Sequence, residues 1–281
     1  LYNRGIAAPD DIDAFLQGTF EPDNPFLMRD VPIAVRLLRQ AIVRHAPIVI
    51  YGDYDVDGVT AAAVLIQTLQ ALGAQAKAYI PNRLDEGYGL NIDAITELAQ
   101  GGARVLITVD CGIRSLDEIA TARRLGMMTI VTDHHHVGVA LPRADAVINP
   151  RRADCAYPFK DLAGVGVAYK LAQALIRTNR QVPLSTTQFM LDEADLLDLV
   201  ALGTIADMAP LLGENHMLVI KGLAALNEAR RPGLSALLEL SGVAPGAVTA
   251  RSVGFVLAPR LNAAGRIREA MTSLDLLLAA D

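Results

Sequence analysis

"PIVIYGDYDVDGVTAAAVLIQTLQAL", residues 47–72, joins an apolar run, three acids and a second apolar stretch end to end. Ile48-Val49-Ile50 is short and β-branched, the composition of a buried strand, whereas residues 59–72 repeat their apolar positions at helical spacing. Between them Asp53, Asp55 and Asp57 stand at alternate positions. A strand that ends in acids and turns into a helix is the first half of a βαβ unit, and the alternation continues along the chain. Strands are expected at 47–51, 75–80, 104–110, 127–133 and 146–149, with helices near 91–99 and 115–125 between them. The expected fold is α/β, a mostly parallel β-sheet with helices on both faces. Two amphipathic helices, 9–16 and 31–44, precede it. After Pro150 only helical patterns follow, near 165–177, 193–205, 217–229 and 234–240. The division expected is an N-terminal helical segment, 1–45, and one domain, 46–281, with a sheet part at 46–150 and a mainly helical part at 151–281.

A chain of 281 residues, 52% of them hydrophobic, is long enough to bury a sizeable core. Its two cysteines, Cys111 and Cys155, form no CxxC pair, which argues against a disulfide framework or a cysteine zinc site and for a reducing cytoplasm. No apolar run approaches the roughly 20 residues of a membrane span, so no membrane association is expected. The chain opens at Leu1 and stops inside an apolar helical pattern at Asp281, the mark of a fragment of something longer. Nothing in it points to an oligomer, and a monomer is expected.

In a parallel sheet the functional edge is the carboxyl end of the strands. Asp53, Asp55 and Asp57 follow the first strand, Asp110 closes "RVLITVD", and "VTDHHH" delivers Asp133, His134, His135 and His136 after the fourth. "DYDVDG" begins like an EF-hand loop, but the twelfth position is Val64 and a strand precedes it. One aspartate can cap the following helix; capping does not account for three, nor for acids at two other strand ends. Like charges so crowded repel unless a cation neutralises them, and hard carboxylates with imidazole suit Mn²⁺ or Mg²⁺ better than zinc. Of the three histidines His134 is the expected ligand, His135 a phosphate contact or acid, and His136 structural; His45 and His216 read as surface or packing. Asp207, just after a nearly all-apolar helix, is a further expected ligand, since a carboxylate leaving such a core is costly unless paired. "GVGVAYK", 164–170, lacks both the dinucleotide fingerprint and the P-loop ending, and reads as close helix packing.

The net charge of −6 argues against a generally basic nucleic-acid surface. The pairs Arg151-Arg152 and Arg230-Arg231 read as solvated faces, whereas the acid-free run containing Arg251, Arg260, Arg266 and Arg268, ending in a glycine-containing turn, is a candidate phosphate contact.

Together "TDHHH", "DYDVDG", "VDCGI" and "GTIADMAPL" resemble the DHH phosphoesterase superfamily; "YIPNRLDEGYGLN", "GVGVAYKLA" and "PRLNAAGRI" resemble, within it, the RecJ single-strand-specific exonucleases. The resemblance spans almost the whole chain. It implies a two-metal phosphodiesterase, usually Mn²⁺-dependent with Mg²⁺ as the alternative, that degrades single-stranded DNA from its 5′ end in recombination and repair. Residue by residue it implies Asp53, Asp55, Asp57, Asp110, His134 and Asp207 as metal ligands, Asp110 bridging, with Asp110, His134 and His135 catalytic. Arg83, Tyr88, Arg260, Asn262 and Arg266 are the implied substrate contacts. Tyr51 stands where many superfamily members have a histidine, a place Asp53 is expected to fill. Single-stranded DNA is the implied partner, with recombination helicases and single-strand-binding protein beside it. The C-terminal DHH-associated domain of such proteins is expected to be absent here, leaving the cleft open and the nuclease weak. Other readings are hydrolysis of short oligonucleotides, cyclic dinucleotides or pyrophosphate by the same site, a non-catalytic replication scaffold, or a structural metal protein.

Overall fold

The computed structural model describes residues 1–4, 6–19, 22–81, 89–185, 189–267 and 270–280. Helices α1 (Pro9–Gln17) and α2 (Val31–Val43) lead into β1 (Ile48–Gly52), α3 (Val56–Ala71), β2 (Ala76–Tyr79), α4 (Ile92–Gln100), β3 (Val105–Val109), α5 (Leu116–Arg124), β4 (Met128–Thr132) and β5 (Ala146–Ile148). The five strands form one parallel sheet in the order β2-β1-β3-β4-β5, with Ile50 beside Ala78 and Ile107, and Ile107 beside Ile130. Strand and helix ends differ from the sequence reading by a few residues, because terminal turns fray and local pattern is weakest there.

The pleat sends Ile48, Ile50, Ile107 and Ile130 to one face and Val49, Tyr51, Leu106 and Val131 to the other. Both faces are covered, which is why these strands are apolar without alternation. On the first lie α2, α3 and α6 (Gly164–Gln181); on the second, α4 and α5. α3 is buried at every position from Val56 to Ile66, the signature of an enclosed helix. It runs between the sheet and the pair α6 and α7 (Leu197–Ala206). α8 (Gly213–Glu228), α9 (Pro232–Leu240), α10 (Ala250–Ser252), α11 (Ala258–Ile267) and α12 (Ala270–Leu278) complete the helical part.

Three expectations are corrected. The glycine of the arginine-rich run lies in a helix and not in a turn: α10 passes through a π-helical turn, Val253–Leu257, into α11, which contains Gly265. The register slips just before Pro259, which has no N–H to continue an α-helical ladder. Arg152 is not solvated; its buried guanidinium meets Asp30 and Asp154 at 2.8 Å and donates to the Val147 carbonyl. Arg231 likewise pairs with Asp198 at 2.9 Å, so of that pair only Arg230 is the exposed residue expected. A guanidinium is buried without penalty only where such partners match its donors. A further internal ion pair joins Lys170, fully buried in α6, to Glu214, which also accepts from Tyr157 Oη at 2.5 Å. The same ammonium donates to the Asp23 carbonyl at 3.0 Å and so pins the N-terminal segment to α6.

Candidate metal centre

The chain leaves β1 for β2 on one side and returns to β3 on the other, so the strand order reverses between β1 and β3. At such a switch point the connections diverge and open a crevice at the carboxyl ends of the strands. Asp53 follows β1 and Asp110 follows β3 at that crevice. Asp53 Oδ1 accepts the Tyr54 N–H at 2.8 Å. Asp55 is the N-cap of α3, accepting the Gly58 N–H at 3.0 Å, so one of the three acids does cap, as anticipated. A Cβ on Gly58 would lie 2.5 Å from the Asp53 carbonyl oxygen, so the tight acid turn needs glycine there.

Asp57 is completely enclosed. Its two oxygens accept the N–H groups of Gly164, at 2.6 Å, and Val165, at 2.8 Å, at the start of α6. The positive end of that helix and two otherwise unpaired donors hold the carboxylate in one orientation. "GVGVAYK" therefore packs closely, as expected, and also grips an acid 107 residues earlier in the chain. Asp110 has a left-handed backbone, φ 58°, uncommon for a residue with a side chain. The side chain is buried against Gly164, where a Cβ would fall 2.6 Å from Asp110 Oδ1. Asp207 ends α7 as its C-cap, half-buried at the mouth.

His134 lies among these acids: Nε2 is 3.0 Å from Asp110 Oδ1 and 3.8 Å from Asp57 Oδ2, and Nδ1 is 3.9 Å from Asp207 Oδ2. His135 Nδ1 is 2.8 Å from Asp133 Oδ1 and 3.9 Å from Asp110 Oδ1. Asp133 also accepts the N–H groups of Ile113, His134 and His135, so it braces the loop that presents both imidazoles. His136 lies outside the cluster at the rim, its Nε2 3.1 Å from Arg151 Nη1. Three sets of donor atoms result, each within 4.8 Å: Asp53, Asp55 and Asp110; Asp57, His134 and Asp207; and Asp110, His134 and His135. All six expected ligands are brought together. His135, expected only as an acid or phosphate contact, is also within ligand reach.

Crowded, buried carboxylates dominate the electrostatics of the centre. Burial, then repulsion from Asp55, pushes Asp53 up to about 7 and Asp207 up to about 6. Burial followed by neighbouring carboxylates drives Asp57 and Asp110 well above the carboxylate range. Burial and the neighbouring His135 hold His134 down at about 4, so it is a neutral imidazole able to ligate. His135 is shifted upward, first by its hydrogen bond to Asp133. Burial raises Asp133 too, but the bonds from His135 and the loop amides outweigh it and the net shift is downward. Asp110 Oδ1 and His134 Nε2, 3.0 Å apart, are buried with no hydrogen-bond partner among the described residues. Two orphaned lone-pair donors facing each other amid carboxylates fit a shared hard divalent cation.

Tyr51 supplies no donor to these sets; its hydroxyl donates to the Gly89 carbonyl at 3.3 Å on the α4 side of the sheet. Asp53 occupies the set with Asp55 and Asp110 instead. Arg260 is exposed on α11 and donates to Val256 O. Asn262 Oδ1 accepts the Val56 N–H at 3.1 Å, tying α11 to the residue after Asp55. Arg83 and Tyr88 lie outside the described residues, as does the side chain of Arg266. Sequence reasoning did not identify the grip of Gly164 and Val165 on Asp57, nor the bracing role of Asp133. The available signal was a glycine opening an apolar helix, and an acid directly before two histidines.

A model of the N-terminal domain of the DHH family matches residues 47–204. The single-stranded-DNA-specific exonuclease RecJ of Bacillus subtilis is 44% identical over 283 residues, covering 100% of this chain and 34% of that protein. The RecJ of Escherichia coli is 38% identical, covering 98% of this chain and 48% of its own length. The chain thus spans between about a third and a half of these curated relatives. Among solved structures, exonuclease RecJ bound to manganese superposes with a TM-score of 0.78 at 37% identity, over 89% of this chain and 61% of that one. RecJ of Thermus thermophilus in complex with Mn²⁺ gives 0.75 at 35% identity, over 90% of this chain and 35% of that one.

Proposed function

The chain belongs to the DHH family, and from that premise we propose that it carries the hydrolytic centre of a metal-dependent 5′ to 3′ exonuclease specific for single-stranded DNA in recombination and repair. The observation that carries the proposal is the convergence of donors from the β1–α3 turn, the end of β3, the loop after β4 and the end of α7 within 4.8 Å sets. The relatives named above are single-stranded-DNA-specific exonucleases, two of the solved ones holding manganese, and we extend both properties to this chain. Asp53, Asp55, Asp57, Asp110, His134 and Asp207 would hold two ions, Mn²⁺ first and Mg²⁺ as the alternative. Bound there, the ions supply Lewis-acid polarisation of a phosphoryl group and activation of water near neutral pH.

The chain's own residues do the rest. The Gly164 and Val165 amides fix Asp57, and Asp133 fixes His135 through Nδ1, leaving Nε2 to hold a proton against a phosphoryl or leaving oxygen. Arg83, Tyr88, Arg260, Asn262 and Arg266 remain the proposed substrate contacts, by phosphate pairing and base stacking. We assign the DHH unit to residues 46–281 with 1–45 as an N-terminal segment, and name helicases and single-strand-binding protein as partner classes. No described helix is long and apolar enough to cross a membrane.

The test is nucleotide release from 5′-labelled single-stranded DNA across a Mn²⁺ titration, beside duplex DNA, a short RNA, a cyclic dinucleotide and pyrophosphate. Hydrolysis confined to the single strand and lost in Asp110→Asn is expected. Preference for one of the small substrates would overturn the assignment of substrate.

A further inference from the structure

We propose that Arg151 is a phosphate-contacting residue at the mouth of the metal centre, a reading that rests on the phosphodiesterase function above and adds a residue to it. Arg151 opens the connection from β5 to α6, and that connection is fastened to the histidine loop. Asn149 Nδ2 donates to the His135 carbonyl at 2.9 Å, and Asn149 Oδ1 accepts the Arg151 N–H at 2.8 Å. The guanidinium is then aimed by two partners: Nη1 lies 3.1 Å from His136 Nε2 and Nη2 lies 2.9 Å from Asp161 Oδ1. A guanidinium can only donate, so His136 accepts through Nε2 in this contact.

Those two contacts use two of five N–H groups. Nε is buried and has no hydrogen-bond partner among the described residues, while the side chain as a whole is 26% exposed. Arg152 next door shows the contrast: Asp30, Asp154 and the Val147 carbonyl take up its donors. Arg151 also sits where its charge reaches the centre, acting at both His134 and Asp207 to disfavour protonation. An arginine oriented by fixed partners beside a cluster of carboxylates, with donors to spare, is preorganised for a phosphate oxygen on which negative charge accumulates. Asp161, its side chain 47% exposed, forms an ion pair that a phosphate can share or displace.

The experiment compares wild type with Arg151→Gln and Arg151→Lys for Mn²⁺ affinity by calorimetry, kcat and KM on single-stranded DNA, and the salt dependence of binding. A phosphate contact predicts a fall in kcat/KM of about 10- to 1000-fold in the Gln variant, with Mn²⁺ affinity within about twofold and a salt slope shallower by roughly one. The Lys variant retains charge but not the fork and should fall between. Unchanged kcat/KM overturns the proposal. So does a loss of Mn²⁺ affinity that matches the loss of activity, because Arg151 would then merely brace the histidine loop. If wild type cleaves no nucleic acid, the functional reading fails separately. Inorganic phosphate binding to the Mn²⁺-loaded proteins then decides Arg151 alone: weaker binding in the Gln variant supports it and equal binding refutes it.

Discussion

Asp110→Asn separates the stability of the fold from the function of its centre. Asparagine is nearly isosteric and tolerates the left-handed φ of 58° at this position, so the change removes charge and little else. Asp53, Asp55 and Asp110 each bring an oxygen within 4.8 Å of the others. At that separation two unit charges repel by about 3.5 kcal/mol at an effective dielectric constant near 20. The metal-free wild type can relieve this by taking up a proton, the direction in which burial and neighbouring carboxylates shift Asp110. The penalty is thus bounded by the cost of that proton, about 1.4 kcal/mol for each pH unit above an unfolded-chain value near 3.9. The bound is about 5.5 kcal/mol at pH 8 and about 1.5 kcal/mol at pH 5. The substitution should therefore stabilise the chelated protein by about 2–5 kcal/mol at pH 8, roughly 4–10 °C in Tm, and far less at pH 5. With saturating Mn²⁺ the order should invert, because wild type gains binding free energy that the variant has lost. Urea and thermal unfolding in chelator and in Mn²⁺, at both pH values, measure all four states. A variant no more stable than wild type in chelator at pH 8, or equally stabilised at pH 5, refutes the electrostatic reasoning.

Other outcomes follow from the same geometry. Gly164→Ala places a Cβ 2.6 Å from Asp110 Oδ1 at the helix end that grips Asp57, so Mn²⁺ affinity should drop by roughly tenfold or more in calorimetry while far-ultraviolet dichroism is retained. Lys170→Met strands Glu214 in the core and should cost about 3–5 kcal/mol in urea unfolding; adding Glu214→Leu should return a substantial part. In chelator, stability should fall as pH rises from about 4 and go on falling past 7, because Asp57 and Asp110 are shifted well above 3.8, while His134, held down at about 4, offsets part of the fall below about 6.5. Asp53, raised to about 7, and Asp207, raised to about 6, keep protons in the folded chain that the unfolded chain has released. Urea midpoints at pH 5, 6, 7 and 8 check this, and a rising trend over that range would contradict it. Mn²⁺ affinity should climb through the same window, because the ion competes with those protons.

The sheet and the acid clusters were legible because each is written locally. An apolar β-branched run needs burial on both faces, and an acid placed directly after it must emerge at the carboxyl edge, as Asp53, Asp110 and Asp133 do. The enclosed helices were legible for the same reason, since residues 197–205 have almost no polar face to expose. What stayed hidden depends on which distant segment meets a side chain. Nothing near Asp57 announces the amides of Gly164 and Val165 that orient it. Adjacent arginines in the sequence met opposite fates, Arg152 consumed by Asp30 and Asp154 and Arg151 partly exposed at the rim with its Nε unpartnered among the described residues. Lys170 and Glu214 are ordinary surface residue types that only packing turned into a buried pair. By itself the sequence determined the fold class and the residue types at the strand ends, because periodicity and hydropathy act over a few neighbours. Only the tertiary structure decided which of those groups share one ion-sized space and which are structural. Close approaches between residues far apart in the chain, such as the 2.6 Å from Gly164 N to Asp57 Oδ2, are set by how α3, α6 and α7 pack, and local pattern carries no record of that.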